Sequence, residues 1–468
     1  MATQINGSDP LVFLGILALL IGLGFLGNLI FNKLRFNDTL ILIAVGVIVG
    51  PITGTISPDS LAGASQIVGA LALILILFDG GLALKIHDLM HGLGSAAVLG
   101  MVGFLLTTLV VGGLTAGALG IPVATGRVLG AILAGTSALV VLPSLEAMDV
   151  KKKTGTTLGL ESALTDVLVV VVSFTLISIV GAAATGAVDG GNATSESLDA
   201  YASGIASGLV IAFLVGLAAG TSGGFLWLLL YPQVRDKPFG YMLTLGFMFF
   251  LYVATEWILG ARDVLGAGPL AVLSFGIVLG NYDRFGQKFI ASVGEGFGTG
   301  MKKFQGEISF LVRTFFFVYL GILVDPELLL DARTLGIGLL LFAGLLAARY
   351  IAVMATTRRL RLEGDDLVLW VMGPRGLAAA VLAAAPAQAG IPGTDSFVAL
   401  AFLILVLTNL FATVGTIVLD KKGKQPPAPP AKPPAKAATR SKAKPEKDVT
   451  FKPKNSTQKS LEELGRKG

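Results

Sequence analysis

An all-α polytopic membrane protein is the fold class this sequence predicts, and three observations predict it. Hydrophobic residues make up 54% of the 468 positions and charged residues only 14%, against about 25% charged in an ordinary soluble domain. Apolar runs recur along the chain, and a run of roughly 20 such residues spans a hydrocarbon core about 30 Å thick. At these lengths the backbone polar groups are satisfied within helices rather than in barrel strands. Cysteine is absent, which excludes disulfides, thiol catalysis and cysteine metal sites. The 61 glycines suit close helix approach and broken helices in a membrane bundle.

Thirteen spans are predicted, near 11–31, 39–54, 65–84, 94–120, 127–147, 157–183, 201–231, 239–260, 266–281, 305–324, 334–356, 366–389 and 397–419. The first is too apolar and lacks the basic start of a cleaved signal peptide. Basic residues set the orientation. Lys33 and Arg35, Lys85, Lys151 to Lys153, Arg235 and Lys237, Lys302 and Lys303, and Arg358, Arg359 and Arg361 all fall at alternate loops, after odd spans or before span ten. The other loops are poor in Lys and Arg. This predicts an N-terminus outside and a C-terminus in the cytoplasm of a multi-pass cell-membrane protein.

Residues 1–420 therefore read as a transmembrane domain and 421–468 as a basic cytoplasmic tail. The formal charge is +5, yet 421–468 hold 14 basic and 4 acidic residues, a surplus of +10 that leaves −5 on the rest. A basic tail on a slightly acidic membrane body does not imply nucleic-acid binding. After Asp420 the composition turns to Pro, Ala and Lys, with too few apolar residues to offset the entropy of ordering, so disorder is expected. Contact with anionic lipid is one reading of this tail; a solvated tail obeying the charge rule is the other.

Ionisable groups in mid-span are expensive, costing roughly 2.5–3.5 kcal/mol on insertion scales, and so mark pathways or paired structural sites. Asp79, Glu161, Asp166, Glu256, Arg313, Arg349 and Arg375 form that set. Ser162 and Asp166 are four apart and share a helical face. Together they offer hard oxygen ligands suited to Na⁺ or K⁺. Glu161 points elsewhere and is free to pair with an Arg from another helix. In span five, Gly135-Thr136-Ser137-Ala138 followed by Pro143 suits a broken helix whose freed carbonyls act as cation ligands. Gly373-Pro374-Arg375-Gly376 is the matching interruption in span twelve. Paired interruptions in two halves point to a transporter site built from inverted repeats.

Phe78-Asp79-Gly80-Gly81-Leu82 closes span three, where Asp79 reads either as a relay carboxylate or as a solvated acid at the cytoplasmic mouth. Arg313 and Arg349 need partners, for which Glu161 and the span-five break are candidates. His87 and His91 sit four apart but lack a third ligand, so solvated loop histidines are the simpler reading. Glu256, beside Trp257, reads as a snorkelling side chain. Gly204, Gly208, Gly216, Gly220 and Gly224 form a small-xxx-small series suited either to a dimer face or to internal packing.

With these residues laid out, the chain resembles the monovalent cation:proton antiporter family, specifically its sodium/proton exchanger branch, over about residues 11–419. Phe78-Asp79-Gly80-Gly81-Leu82 is similar to the family's third-span motif. Glu161-Ser162 with Asp166 resembles the sixth-span signature, whose final Asp binds cation or proton. Arg349 falls where the family has the Arg that bridges to that Glu, and Gly373-Pro374-Arg375-Gly376 resembles the opening of the broken twelfth span. There are two departures. Thr136-Ser137-Ala138 stands where Thr-Asp-Pro is common, and Thr165 where Asn is usual.

The resemblance implies an antiporter exchanging Na⁺ or Li⁺, or alternatively K⁺, for protons by alternating access, with a part in pH homeostasis. Asp166, Ser162 and Thr136 would ligate the transported ion, with Asp79, Thr165 and Ser137 nearby. Glu161 and Arg349 would form a structural ion pair, and Arg313 and Arg375 would act as modulating charges. A homodimer in lipid is implied, with no cofactor beyond the transported cation and H⁺. The missing span-five carboxylate lowers the field strength, which favours the more easily dehydrated K⁺. Two other readings stay open: an organic-anion symporter on the same architecture, and a channel or non-transporting sensor. No nucleophile–base pair or phosphate loop suggests an enzyme.

Overall fold

In the computed structural model the described residues are helical 15, 18, 21, 22 and 25, then 38–54, 62–84, 86–146 and 148, 150–184, 195–234, 239–260, 267–286, 297–324, 327, 331–360 and 365–423. The expectations at Lys33, Arg35, Lys85, Arg235, Lys237, Arg361 and the 424–468 part of the tail, and those for the surroundings of Gly204, Gly208, His87, His91, Pro143, Lys152 and Arg359, fall outside what is described; residues 421–423 continue the last helix.

Among the described residues every regular element is helical. In order it forms α1 (Asp38–Val47), continued by a π-turn at Ile48–Ile52; α2 (Ala62–Ala83); α3 (Ile86–Leu119); α4 (Val123–Ile132); α5 (Ala138–Glu146); and α6 (Lys152–Ala184). Then follow α7 (Ser195–Leu230), α8 (Gly240–Gly260), α9 (Ala267–Gly280), α10 (Phe297–Ile322), α11 (Ala332–Leu360), α12 (Asp366–Val371), α13 (Leu377–Leu382), α14 (Ala385–Gln388) and α15 (Phe397–Gly423). Among the described residues, six helices are long and apolar enough to cross a membrane. They are parts of α3, α6, α7, α8, α11 and α15, and five shorter apolar helices stand beside them. α10 carries Lys302, Lys303, Glu307 and Arg313 and falls in neither group.

The helices pack into two bundles. In the first, α3 lies against α4, α6 and α11, while α15 packs on α11, α12 and α13. In the second, α9 lies against α2, α7 and α8, and α10 against α1 and α2. Both interruptions belong to the first bundle, and each is the middle member of three consecutive predicted spans.

Glycine sets the closest contacts of the second bundle. A Cβ on Gly216, Gly220 or Gly224 would lie 2.6 Å from the Ala267 carbonyl, 2.2 Å from the Ala271 carbonyl, or 2.7 Å from the Val278 Cβ. This half of the small-xxx-small series is therefore spent on α9 inside the chain, where the backbone oxygens of α9 fill the missing side-chain space.

Buried amides fix the turns. Asn281 Nδ2 donates to the Leu84 carbonyl at 2.7 Å, and its Oδ1 accepts from the Ile86 N–H at 2.9 Å. One side chain after α9 thus clips the link between α2 and α3 on both sides. Glu256 does not snorkel. It accepts from the Gly268 N–H at 2.8 Å, since the first turn of α9 leaves backbone donors unpaired. At the start of α11, exposed Asp331 accepts the N–H of Thr334 at 2.9 Å and its hydroxyl at 3.1 Å, as a helix N-cap does.

Candidate functional site at the crossing of two broken helices

The site is built where both helices lose their hydrogen-bond ladders. α4 ends at Ile132 and α5 starts at Ala138; the Leu133 and Ala134 N–H groups still donate back to Leu129 and Ala131, and the Ser137 carbonyl opens the next ladder, so the break lies between them. The second gap runs from Met372 to Gly376, between α12 and α13. Proline and glycine explain that gap: Pro374 has no N–H to donate. The gaps touch, because the Ser137 N–H donates to the Pro374 carbonyl at 2.8 Å. A Cβ on Gly376 would lie 2.3 Å from Ser137 Oγ, so only a bare backbone fits there.

Arg375 closes the crossing. Its side chain is almost fully buried and donates Nη1 to the carbonyls of Ala134 at 3.1 Å and Gly135 at 2.6 Å. Sequence reasoning assigned the freed span-five carbonyls to the transported cation; these two are already held by a guanidinium. The physical reason is that these carbonyls lie just beyond the partially negative end of α4 and have no helical donors, and a cation from the facing gap satisfies them. α15 in turn holds the backbone of Arg375. Thr408 Oγ1 accepts its N–H at 3.1 Å and Asn409 Nδ2 donates to its carbonyl at 2.8 Å.

α6 passes beside the crossing and supplies the acids. Glu161 is buried and takes both Nη atoms of Arg349, at 2.9 and 3.2 Å. Arg349 also donates Nε to the Leu369 carbonyl and Nη2 to the Met372 carbonyl, both at 3.1 Å. These carbonyls close α12, so one guanidinium pairs the acid and caps a half-helix. Thr136 Oγ1 donates to Glu161 Oε1 at 3.1 Å, and the Thr136 N–H donates to Thr165 Oγ1 at 3.1 Å. Thr165 thereby ties α6 to the first gap.

Asp166 lies one residue further along α6. Its carboxylate accepts from the backbone N–H of Ala138, the first residue of α5. The partial positive end of a half-helix thus faces the one acid here that has no guanidinium on it. Glu161 is near enough to act on Asp166 electrostatically. Ser162, one turn back on the same face, is fully buried and donates to the Gly159 carbonyl at 3.1 Å, leaving its lone pairs open. The arrangement offers one carboxylate and several hydroxyl oxygens in a largely buried setting, which suits a proton or a monovalent hard cation.

Asp79 stands apart from this cluster. Its charged neighbours are Arg313 and Lys302 of α10, so Arg313 is placed by Asp79 and not by Glu161 or the span-five break. Tyr241 donates its hydroxyl to Gln305 Oε1 in the same region. Gln305 is fully buried and donates to the Leu75 carbonyl at 2.9 Å and to Ser309 at 3.0 Å. Gln305, Thr408 and Asn409 are not reached from ionisable groups or from the hydroxyls beside Asp166 and the first interruption. The adjacent polar pair Thr408-Asn409 in the apolar run 397–419 was the available signal, whereas Gln305, among Lys302, Lys303 and Glu307, offered none. Among the described residues, no group of three His, Cys, Asp or Glu is disposed to hold a resident metal.

A family model described as sodium/hydrogen exchanger, transmembrane, matches residues 15–421. The chain is 29% identical over 423 residues to a protein named K(+)/H(+) antiporter NhaP2 from Shewanella sp. (strain MR-4), covering 88% of this chain and 67% of that one. It is 24% identical over 385 residues to Na(+)/H(+) antiporter 1 of Methanocaldococcus jannaschii, covering 80% and 83%. Among solved structures, the sodium proton antiporter MjNhaP1 of M. jannaschii at pH 8 superposes with a TM-score of 0.71 at 22% identity, over 88% of this chain and 97% of that one. At that identity the likeness speaks for the fold.

Proposed function

The chain belongs to the sodium/hydrogen exchanger family, and on that premise we propose that it exchanges one monovalent cation for protons by alternating access, with Asp166 binding each in turn. The observation that carries this reading is the position of Asp166 on the first N–H of α5, while Glu161 is committed to Arg349. A carboxylate with no fixed counter-cation among the described residues is the group that must take a mobile one. Ser162 and Thr136 supply further oxygens, and Thr165 and Ser137 hold the frame in which they sit. The Glu161–Arg349 pair and Arg375 keep the two gaps in register. Asp79, with Arg313 and Lys302 beside it, is a relay or approach group rather than a ligand in the central site.

Na⁺ or Li⁺ is the first reading of the cation. Potassium is the second, and it is favoured by the missing carboxylate at Thr136-Ser137-Ala138 and by the K(+)/H(+) name of the NhaP2 relative. In this proposal thirteen spans cross a cell membrane with the N-terminus outside and the C-terminus in the cytoplasm. The second bundle forms the scaffold of a homodimer, and the basic 421–468 tail contacts anionic lipid.

The test is proton efflux from proteoliposomes holding a trapped pH dye, on addition of Na⁺, Li⁺ or K⁺. Asp166→Asn is expected to insert and fold yet exchange none of them. Exchange retained by that variant overturns the assignment. Exchange of K⁺ alone selects the second reading, and silence of the native protein toward all three turns the reading to the symporter or sensor.

A further inference from the structure

Ser173 is fully buried on α6, and its hydroxyl has no hydrogen-bond partner. This sets it apart from its neighbours on the same helix. Thr175 donates to the Val171 carbonyl at 2.7 Å and Ser178 to the Phe174 carbonyl at 3.0 Å. Those i−4 back-bonds are the ordinary way for a hydroxyl in an apolar helix to be satisfied. Ser173 has the Val169 carbonyl at the same offset and does not take it. Its near neighbours along α6 offer little else: Val169, Val170, Ile177 and Val180 all belong to the main apolar core. A native protein rarely leaves a buried hydroxyl unpaired without a reason.

Position supplies the reason. Seven residues separate Asp166 from Ser173, which on an α-helix is about 20° short of two full turns and about 10 Å of rise. Ser162, Asp166 and Ser173 therefore form one polar stripe along α6. Ser162 and Asp166 lie at the crossing, and Ser173 lies two turns beyond, toward Ala184.

We infer that Ser173 is a waypoint for the transported cation, its hydroxyl oxygen ligating the partly hydrated ion on the route between Asp166 and the Ala184 end of α6. This rests on the exchange reading given above. The hydroxyl is unpaired in the conformation described because the apolar side chains around it are closed on that half of the route. Val171, two residues away and roughly opposite on the helix, packs instead with Leu270 and Leu273 of α9, so the route follows one face of α6.

The sequence holds no cysteine, so Ser173→Cys introduces a single thiol with no background. The full-length variant in proteoliposomes is treated with a small cationic methanethiosulfonate at fixed pH, with choline alone or with Na⁺ or K⁺ added. The expected result is modification of the introduced thiol at a rate that changes when the transported cation is added, while Val171→Cys stays unmodified. Ser173→Ala is expected to fold and to raise the KM for the cation about three- to tenfold, the weight of one hydrogen bond, with kcat less affected, and Ser173→Thr is expected to restore KM. A Ser173→Cys protein that exchanges but stays unmodified, or that reacts at a rate indifferent to every cation, overturns the inference. So does Ser173→Ala with unchanged KM. Native protein and Asp166→Asn run alongside: failure of the native protein to exchange counts against the function, whereas the cation dependence of the labelling is read without any exchange assay.

Discussion

Replacing Arg349 with Met keeps an apolar stem of similar reach and deletes four hydrogen bonds at once. Two of them go to Glu161, and the others to the carbonyls of Leu369 and Met372. Glu161 is left as a buried carboxylate with Thr136 as its remaining donor, and breaking a buried pair from one side costs about 3–5 kcal/mol. The exposed end of α12 adds about 1–3 kcal/mol for unsatisfied carbonyls. Against a total stability of about 5–15 kcal/mol, the single variant stands near the edge of folding. Glu161→Met in the same chain removes the stranded charge, and apolar replacement of both partners is close to neutral for the pair itself. The double variant should therefore recover most of the loss, short of the carbonyl contribution. Thermal unfolding of purified protein in detergent, read by the monodisperse fraction on size exclusion, gives the order native, double variant, single variant. A single variant as stable as the native protein, or a double variant no better than the single, refutes the reasoning.

Further outcomes follow from close packing and from capping. Gly376→Ala drives a Cβ to 2.3 Å from Ser137 Oγ and 2.5 Å from Ser137 Cβ, so cation-driven proton efflux should fall sharply; adding Ser137→Gly, which removes both atoms, should restore part of it. Gly220→Ala places a Cβ 2.2 Å from the Ala271 carbonyl and should cost about 1–3 kcal/mol as overpacking, measurable as a lowered unfolding temperature. Gly246→Ala, with open space around its Cβ, should be neutral or slightly stabilising. At the start of α11, bonds from the Thr334 N–H and hydroxyl hold the Asp331 carboxyl below its ordinary value. Its capping contribution is therefore complete above about pH 4, the unfolded value for Asp, and is lost as pH falls through the lower folded value. Hydrogen exchange at the Thr334 amide should quicken on going from pH 5 to pH 3, after correction for intrinsic rates, and Asp331→Asn should remove that pH dependence.

Much of this architecture was legible because membranes make polar residues conspicuous. Gly135-Thr136-Ser137 and Gly373-Pro374-Arg375-Gly376 stand out from apolar runs, and both interruptions fall where helices stop and restart. That Glu161 needs an Arg was legible for the same reason, since a charge buried in apolar helices must be met; that the Arg is Arg349 was implied by the family resemblance. Which cation meets which group was harder to read. Arg313, Arg349 and Arg375 are equivalent in composition, and only the packing of α10 beside α2 sends the first to Asp79. The glycine series of α7 announced a close neighbour without naming α9, because small residues state the distance of approach and not the partner. Thr408 and Asn409 draw less notice than a charge, although the hydroxyl of the one and the amide of the other carry donors that need acceptors just as strictly.

The Asn281 clip has a mechanical consequence. By holding Leu84 and Ile86 together, it welds the peptide on either side of residue 85 to the end of α9. This one of the three links between the bundles therefore offers no free pivot at its loop. If the bundles rock as proposed, the part of that motion falling on this link would be taken up beyond Ile86, in the opening turns of α3. That stretch works as a cantilever, anchored at Asn281 and loaded where α3 grips α4, α6 and α11. Stiffness there, and not loop length, would set how far the crossing can swing.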